Sequence, residues 1–427
     1  MIEYSRSRKG TRHRTKVGGR KKVYRLAELF CGCGGFSHGF ALTKRFSVDF
    51  ATDLNEVFCE TFEKNHFRVD GKPPLVLPGH IERLSRKELP LAFQDLGYYR
   101  NGRLDVLLGG PPCEGFSQNR RSQERDGGTG KVKYGGYNKY INDPRNFLVR
   151  RFMRVVEDLL PKIVVIENVP QILTHGHRRF GLEITARLAG LGYKVQSALL
   201  LASDFGVPQA RRRAFFLAVR SDLAETAGLP EFPPQPTHRR LNSNGLPLLK
   251  GPVTVRDGIL DLPESSDHEE GGKPANCYPK IPKLSDYAMT MRSTVATPFN
   301  HIHRTVRESA LNRLKRMKPG MRLDHLPEHL RTKSWYFNCY GRLAWAGQAR
   351  TITKSCNYIG SGCFGHPELH RGITMREAAR LQSFDDDFRF WSDSEHQVAQ
   401  MIGGAVPPVL AKAIASSILA FLDRFPS

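Results

Sequence analysis

From residue 23 onward, apolar runs alternate with amphipathic stretches. Val23–Phe30 (VYRLAELF) predicts a strand, Cys31–Gly35 a glycine-rich turn and Phe36–Lys44 a helix. Ser47–Asp53 predicts a second strand and Asn55–His66 a second helix. Leu104–Leu108 is a short apolar strand running into Gly109-Gly110-Pro111-Pro112. Asn146–Leu160 and Arg179–Leu191 have helical spacing, and between them lies a Val- and Ile-rich strand, Lys162–Ile166. Tyr193–Ala202 and Arg213–Val219 are strands with little helix between them, which fits an antiparallel hairpin. This alternation predicts an α/β doubly wound sheet.

The pattern weakens after Ser221. Glu231–Pro236 (EFPPQP) is a proline-rich break, and from there to about Gly347 the chain is rich in proline, glycine and charge. A separate, irregular module is expected there. Helical signal returns at Thr374–Ser383, where Thr374 and Glu377 have the spacing of a capping box. A last helix is expected over Val409–Phe425.

Composition narrows the function. The 427 residues are 40% hydrophobic and 25% charged, which excludes wholesale disorder. Lys+Arg 65 against Asp+Glu 42 leaves a net charge of +23, and a polyanionic partner such as nucleic acid follows. Between Met1 and Arg25, Glu3 is the only acid among ten basic residues, so residues 1–22 read as a disordered basic arm. No apolar stretch approaches the roughly 18 residues of a membrane span, and no leader is evident, so an unexported chain in a reducing compartment is expected. The eight cysteines form no Cys-x-x-Cys pair, which argues against a metal site. By default each is a small buried apolar residue.

Four segments stand out chemically. Phe30-Cys31-Gly32-Cys33-Gly34-Gly35 lies between a strand and a helix, where glycines let backbone N–H groups approach a ligand. Asp53, about 20 residues on, is placed to accept ribose hydroxyls; a ligand-free turn is the alternative. Cys113 follows Gly109–Pro112 beyond a strand's carboxyl end, on a turn stiffened by two prolines. A thiol there can be partly thiolate, and the basic, glycine-rich segment Gln118–Tyr140 could close over a polyanion. Glu167 and Asn168 end an apolar strand, so the Glu167 carboxyl is partly desolvated, the setting of a general acid. In Gln209-Ala210-Arg211-Arg212-Arg213, alternation puts Arg211 and Arg213 on one face, where two guanidiniums could grip a phosphate or a pyrimidine carbonyl.

Taken together and in order, the blocks LFCGCGGFSHGF, GGPPCEGFS, IENV, QARRR, RTITK, HPELHRGITMREAARLQSF and GGAVPP resemble the DNA (cytosine-5)-methyltransferase family. The resemblance implies a Rossmann-like S-adenosylmethionine-dependent sheet with a smaller, irregular target recognition domain. The catalytic domain would span 23–225, completed by 393–427, and the recognition domain with its supporting block 226–392. By position, Cys113 matches the nucleophile that adds to C6 of a flipped cytosine, and Glu167 the acid that engages N3 and the exocyclic amine. Arg213 matches the arginine at the target base, with Arg211 as its companion. Phe30, Gly32, Gly34, Gly35, Asp53, Leu54, His80, Ile81 and Pro112 match cofactor-pocket positions. The implied partner is double-stranded DNA, bound by a monomer in the cytoplasm of a prokaryote, with a restriction endonuclease as a companion.

This chain departs from the family pattern at four positions. Glu114 stands in place of Gln, His80 in place of Asp, Asp385 in place of Pro, and Gly404 in place of Asn. Two alternatives stay open at this level: a tRNA-directed branch of the same family, and a catalytically weakened DNA-binding relative. Basic residues between Arg304 and Arg342, interleaved with His301, His303, Trp335, Tyr336 and Tyr340, are the expected DNA-reading surface.

Overall fold

The computed structural model describes residues 22–84, 88–98, 102–112, 123–125, 132–134, 148–173, 179–240, 249–265, 277–292, 297–332 and 339–425. The basic arm, Cys113, Glu114 and most of the segment Gln118–Tyr140 therefore lie outside the described residues.

The strands are β1 (Tyr24–Leu29), β2 (Phe46–Asp53), β3 (Leu75–Pro78), β4 (Val106–Gly109), the short β5 (Gln123–Arg125) and β6 (Val132–Tyr134), then β7 (Ile163–Asn168), β8 (Tyr193–Leu201) and β9 (Arg212–Arg220). Helices in the first half are α1 (Gly35–Ala41), α2 (Glu56–Asn65), α3 (Ile81–Leu84), α4 (Glu88–Asp95), α5 (Leu148–Leu159) and α6 (Arg179–Gly190). The second half adds α7 (Ser221–Ala227), α8 (Val255–Ile259), α9 (Asp286–Met291), α10 (Glu308–Arg316), α11 (Met375–Leu381), α12 (Glu395–Gly404) and α13 (Pro408–Leu422).

Seven strands form one sheet in the order β3-β2-β1-β4-β7-β9-β8. The first five in that order run parallel, and β9 is antiparallel to both β7 and β8, as the expected hairpin. Period-two alternation sends neighbouring side chains to opposite faces. Ala27, Leu29, Leu107, Val164 and Ile166 pack under α4, α5 and α6 through Phe93, Phe152, Val156 and Ile184. Leu26, Val106, Leu108 and Val165 pack on the other face against Phe36 and Phe40 of α1 and Leu410, Ile414 and Ile418 of α13. Burial on both faces is why these strands are continuously apolar.

The contact between α1 and α13 needs a glycine. A Cβ at Gly39 would lie 2.4 Å from the Ala411 side chain and from the Pro408 carbonyl oxygen. Residues 395–422 are long and apolar enough by composition to cross a membrane. Here they form two helices, α12 and α13, whose apolar faces are buried in the cores.

The C-terminal block has a core of its own. Val255, Ile259, Leu343, Ile352, Phe364, Met375, Ala378, Phe384, Val398 and Met401 cluster there, and Cys33 joins them from the glycine turn. The predicted capping box starts α11: Thr374 Oγ1 accepts from Glu377 N, and the Glu377 carboxylate accepts from Thr374 N. Short α8, α9 and α10 gave no sequence signal. They are five, six and nine residues long; Thr254 and Asp257 form a capping box on α8 and Ser285 caps α9, but the elements are too short to show helical spacing.

Candidate active site

In a parallel sheet the carboxyl ends of the strands share one edge, and a crevice opens where the strand order reverses. Here the reversal falls between β1 and β4. Register aligns the ends: Leu29 pairs with Thr52 on one side and Gly109 on the other, and Gly109 pairs with Ile166. The glycine turn after β1, Asp53 at the end of β2, Gly110–Pro112 after β4, and Glu167 at the end of β7 therefore sit side by side.

Each group is fixed by a nearby partner. Gly34 adopts φ 94°, in the left-handed region, and a Cβ there would strike His66 at 2.3 Å and Phe62 at 2.7 Å. Phe30 enters the turn at φ 56°. Above Gly32 nothing lies within 4 Å of a Cβ position, so the turn is open on that side. Asp53 accepts from Gly32 N at 2.9 Å and from Asn55 N at 3.0 Å, and burial raises its pKa. Leu54 is exposed at 59%, Ile81 is buried at the start of α3, and His80 is exposed just before it.

Asn168 holds the proline turn by donating to the Pro111 carbonyl at 3.0 Å. Glu167 Oε2 is 3.5 Å from a Cβ position on Gly110, so the carboxylate lies against the turn that leads through Pro112 into Cys113. Its other oxygen, Oε1, pairs with Arg213 Nε at 2.9 Å, with side-chain exposures of 12% and 15%. Glu167 thus lies in the partly desolvated strand end expected for it, with a guanidinium beside it.

Arg211 shares that face but not that role. It is 1% exposed, and it donates to the carbonyls of Ile352 and Gly403, each at 3.0 Å. The expectation that Arg211 and Arg213 grip one ligand together is corrected: Arg211 is buried and its two Nη groups tie the sheet to the C-terminal block. Gln209 does the same by accepting from Ile352 N and donating to Gln382.

Sequence reasoning missed Glu28. It lies 3% exposed in β1, accepts from Ser37 N at 3.0 Å, and burial pushes its pKa up to about 8. Its signal was an acid inside an apolar strand. Of the seven described cysteines six are buried and Cys277 is exposed. Burial pushes the Cys356 thiol up to about 12, and those of Cys31 and Cys33 also rise. Such thiols are inert.

In the basic region the structure separates surface from scaffold. His301 is buried between Thr374 Oγ1 and the Pro263 carbonyl, and Arg342 is buried donating to the carbonyls of Leu314, His366, Pro367 and Leu369. These two serve the fold, contrary to the expectation that they read DNA. Lys315, Arg316 and Lys318 are exposed, while Trp335 and Tyr336 lie outside the described residues.

The strand-end crevice of this chain thus combines an acid at the end of β2 with a carboxylate–arginine pair at the end of β7. The C-5 cytosine-specific DNA methylase family matches residues 24–420. The chain belongs to that family. The methylase is 30% identical over 394 residues to the Type II methyltransferase M1.HphI of Haemophilus parahaemolyticus, covering 92% of this chain and 86% of the relative. It is 30% identical over 417 residues to the Type II methyltransferase M.DdeI of Desulfomicrobium norvegicum, covering 93% and 89%. Among solved structures, an E. coli prophage-encoded chain assigned as a DNA modification methyltransferase superposes with a TM-score of 0.67 at 21% identity. That match covers 94% of this chain and 100% of the other, and it supports the fold.

Proposed function

We propose that the methylase transfers a methyl group from S-adenosylmethionine to C5 of a flipped cytosine in duplex DNA, with Cys113 as nucleophile and Glu167 as acid. The observation that carries this reading is the place of the Glu167 carboxylate, 3.5 Å from where a Cβ on Gly110 would stand, three residues before Cys113 and at the edge shared with the glycine turn.

The residues suit the methyl donor. The open side of Gly32 leaves room for it, and Asp53, oriented by two backbone N–H groups, keeps lone pairs for ribose hydroxyls. Phe30, Gly34, Gly35, Leu54, His80, Ile81 and Pro112 would complete the pocket. When bound, the cofactor supplies an electrophilic methyl group at C5.

The chain's own residues do the rest. The Cys113 thiolate forms a bond to C6, which pushes electron density to C5. Glu167 hydrogen-bonds N3 and the exocyclic amine and stabilises the charge that develops on the ring. Arg213 holds Glu167 in place and offers donors toward the base carbonyl. Arg211 is a positioning residue, acting through Ile352 and Gly403. After methylation the C5 proton leaves as a proton, its electrons re-form the ring double bond, and the S–C6 bond breaks to release the thiolate. A stacked base cannot present C5 and C6 to these groups, so the cytosine must leave the duplex.

The relatives are Type II methyltransferases, so a cognate restriction endonuclease acting on the same DNA in the cytoplasm is the proposed partner. The test is methylation of duplex DNA of varied sequence with labelled cofactor, read by bisulfite sequencing, with Cys113→Ala as control. The expected result is 5-methylcytosine in one sequence context, no product from the variant, and a covalent adduct on DNA bearing 5-fluorocytosine there. Full activity in Cys113→Ala, or transfer to tRNA in preference to DNA, overturns the reading.

A further inference from the structure

α12 ends at Gly404, directly against the RTITK segment. The approach is tight, because a Cβ on Gly403 would lie 2.2 Å from the Thr353 carbonyl carbon. Arg211 clamps the same two pieces of chain through Ile352 and Gly403. One residue further along each piece, the contact is made by a lysine stem. A Cβ on Gly404 would lie 3.3 Å from Cε of Lys354. The end of the Lys354 side chain thus lies over bare backbone, next to the space that a side chain at position 404 would enter. From there the ammonium acts on Asp53, partly offsetting the burial that raises that carboxyl. A cation therefore reaches the glycine-turn edge of the sheet from the C-terminal block.

The chemistry of the pocket calls for such a cation. Two acids, Glu28 and Asp53, already sit beside the turn, and both have raised pKa values. Asp53 suits the ribose of the methyl donor, whereas the carboxylate of the donor's amino-acid portion needs donors of its own once it leaves water. Positive charge is needed on that side. We propose that Lys354 binds the α-carboxylate of the methyl donor's amino-acid portion, reaching it across the bare backbone of Gly404. This rests on the cofactor assignment above and names the cation of that site. It also gives a reason for glycine at 404, since a larger side chain would stand in the lysine's path. The competing role is a cap: a lysine beside the C-terminus of α12 stabilises the helix by interacting with its last carbonyls.

Two ligands separate these roles in calorimetric titrations of the full chain. S-adenosylhomocysteine carries the carboxylate; 5′-methylthioadenosine keeps the nucleoside and sulfur but lacks it. Lys354→Met is expected to weaken S-adenosylhomocysteine about tenfold or more, leave 5′-methylthioadenosine unchanged, and be largely rescued by Lys354→Arg. Gly404→Leu, which blocks the path while keeping the lysine, is expected to repeat the selective loss. Equal weakening of both ligands, or a lower melting temperature with neither affinity changed, overturns the proposal in favour of a helix cap or an indirect effect through Asp53. Failure of the wild-type chain to bind either ligand overturns the cofactor assignment, and this inference with it.

Discussion

The edge of the sheet and the block around α11 both set arginine against carboxylate, but to opposite ends. At the edge, Glu167 and Arg213 form a pair that keeps some side-chain exposure and faces the turn into Cys113. Around α11 the charges close on themselves. Arg380 is fully buried and holds both Asp386 and Asp261, with Nη2 2.6 Å from Asp386 Oδ2. Arg371 grips Glu377 with two bonds of 2.8 Å, and Arg376 donates to the carbonyls of Phe299, Asp385 and Phe388. A closed network fixes geometry and has no capacity left for a ligand. A pair at the strand ends can exchange partners with an incoming base. On the proposed mechanism, the same residue types therefore serve scaffold in one region and chemistry in the other.

Substitutions should divide along that line. Glu167→Gln keeps the shape and removes the charge. It is expected to lower the methylation rate about 10²–10⁴-fold with the midpoint of urea unfolding nearly unchanged. Arg380→Met should do the reverse. It removes the guanidinium shared by two buried carboxylates, leaving Asp261 with Arg292 and Asp386 with Arg376 and Tyr278, and should cost about 3–5 kcal/mol of stability, while the folded fraction at low temperature keeps its rate. If Glu167→Gln unfolds the chain as readily as Arg380→Met does, the two regions do not differ in kind.

The pH dependence sharpens the comparison, because carboxyls in the two regions are shifted in opposite directions. Burial raises Glu28 from 4.5 to about 8. Between those values the folded chain holds a proton that the unfolded chain has released, so stability falls as pH rises, by at most about 1.4 kcal/mol per pH unit. In the C-terminal block burial also works to raise Glu377 and Asp385, but Arg371 and His38 outweigh it and hold both at about 2. Their contribution is present above the unfolded value and is lost as pH falls from near 4 towards 2. Denaturation series across pH should show Glu28→Gln flattening the limb between pH 5 and 8, and Glu377→Gln flattening the acid limb. A Glu28→Gln profile parallel to wild type rules out the buried, protonated state.

How much of this was readable in the chain depends on how local each cause is. The apolar runs placed β1, β2, β4, β7 and β9, because burial on both faces leaves no polar alternation to confuse them; β8, an edge strand that is mostly half-buried or exposed, was placed by its β-type composition. The α11 cap was readable because its partners lie three residues apart. β3 was not, since it is a short edge strand whose residues are only half-buried or exposed. The fates of Arg211 and Arg213 were inseparable in the sequence, because what divides them is a pair of carbonyls 141 and 192 residues away. Asp385 showed only as a departure from the family pattern. Its reason is His38, 2.6 Å away in space and 347 residues away in the chain, which joins α1 to the C-terminal block. Lys354 belongs to the same class, since the Gly404 backbone beside it is 50 residues away.

The smallest expected effect tests whether the C-terminal block is scaffold alone. Thr374 Oγ1 caps α11 by accepting from Glu377 N at 3.1 Å, and it also contacts His301 Nδ1 at 2.8 Å. Thr374→Ala removes both contacts and should cost about 1 kcal/mol, read as a shift in the denaturation midpoint. Thr374→Ser keeps the hydroxyl and should recover most of that loss. Neither variant should change the affinity for S-adenosylhomocysteine or the methylation rate of the folded enzyme, because the cap faces Glu377 and His301 rather than the strand ends. A change in ligand affinity with Thr374→Ala that Thr374→Ser does not share would mean that the network around Glu377 transmits to the cofactor edge, and the division between closed scaffold and open site would have to be redrawn through α11.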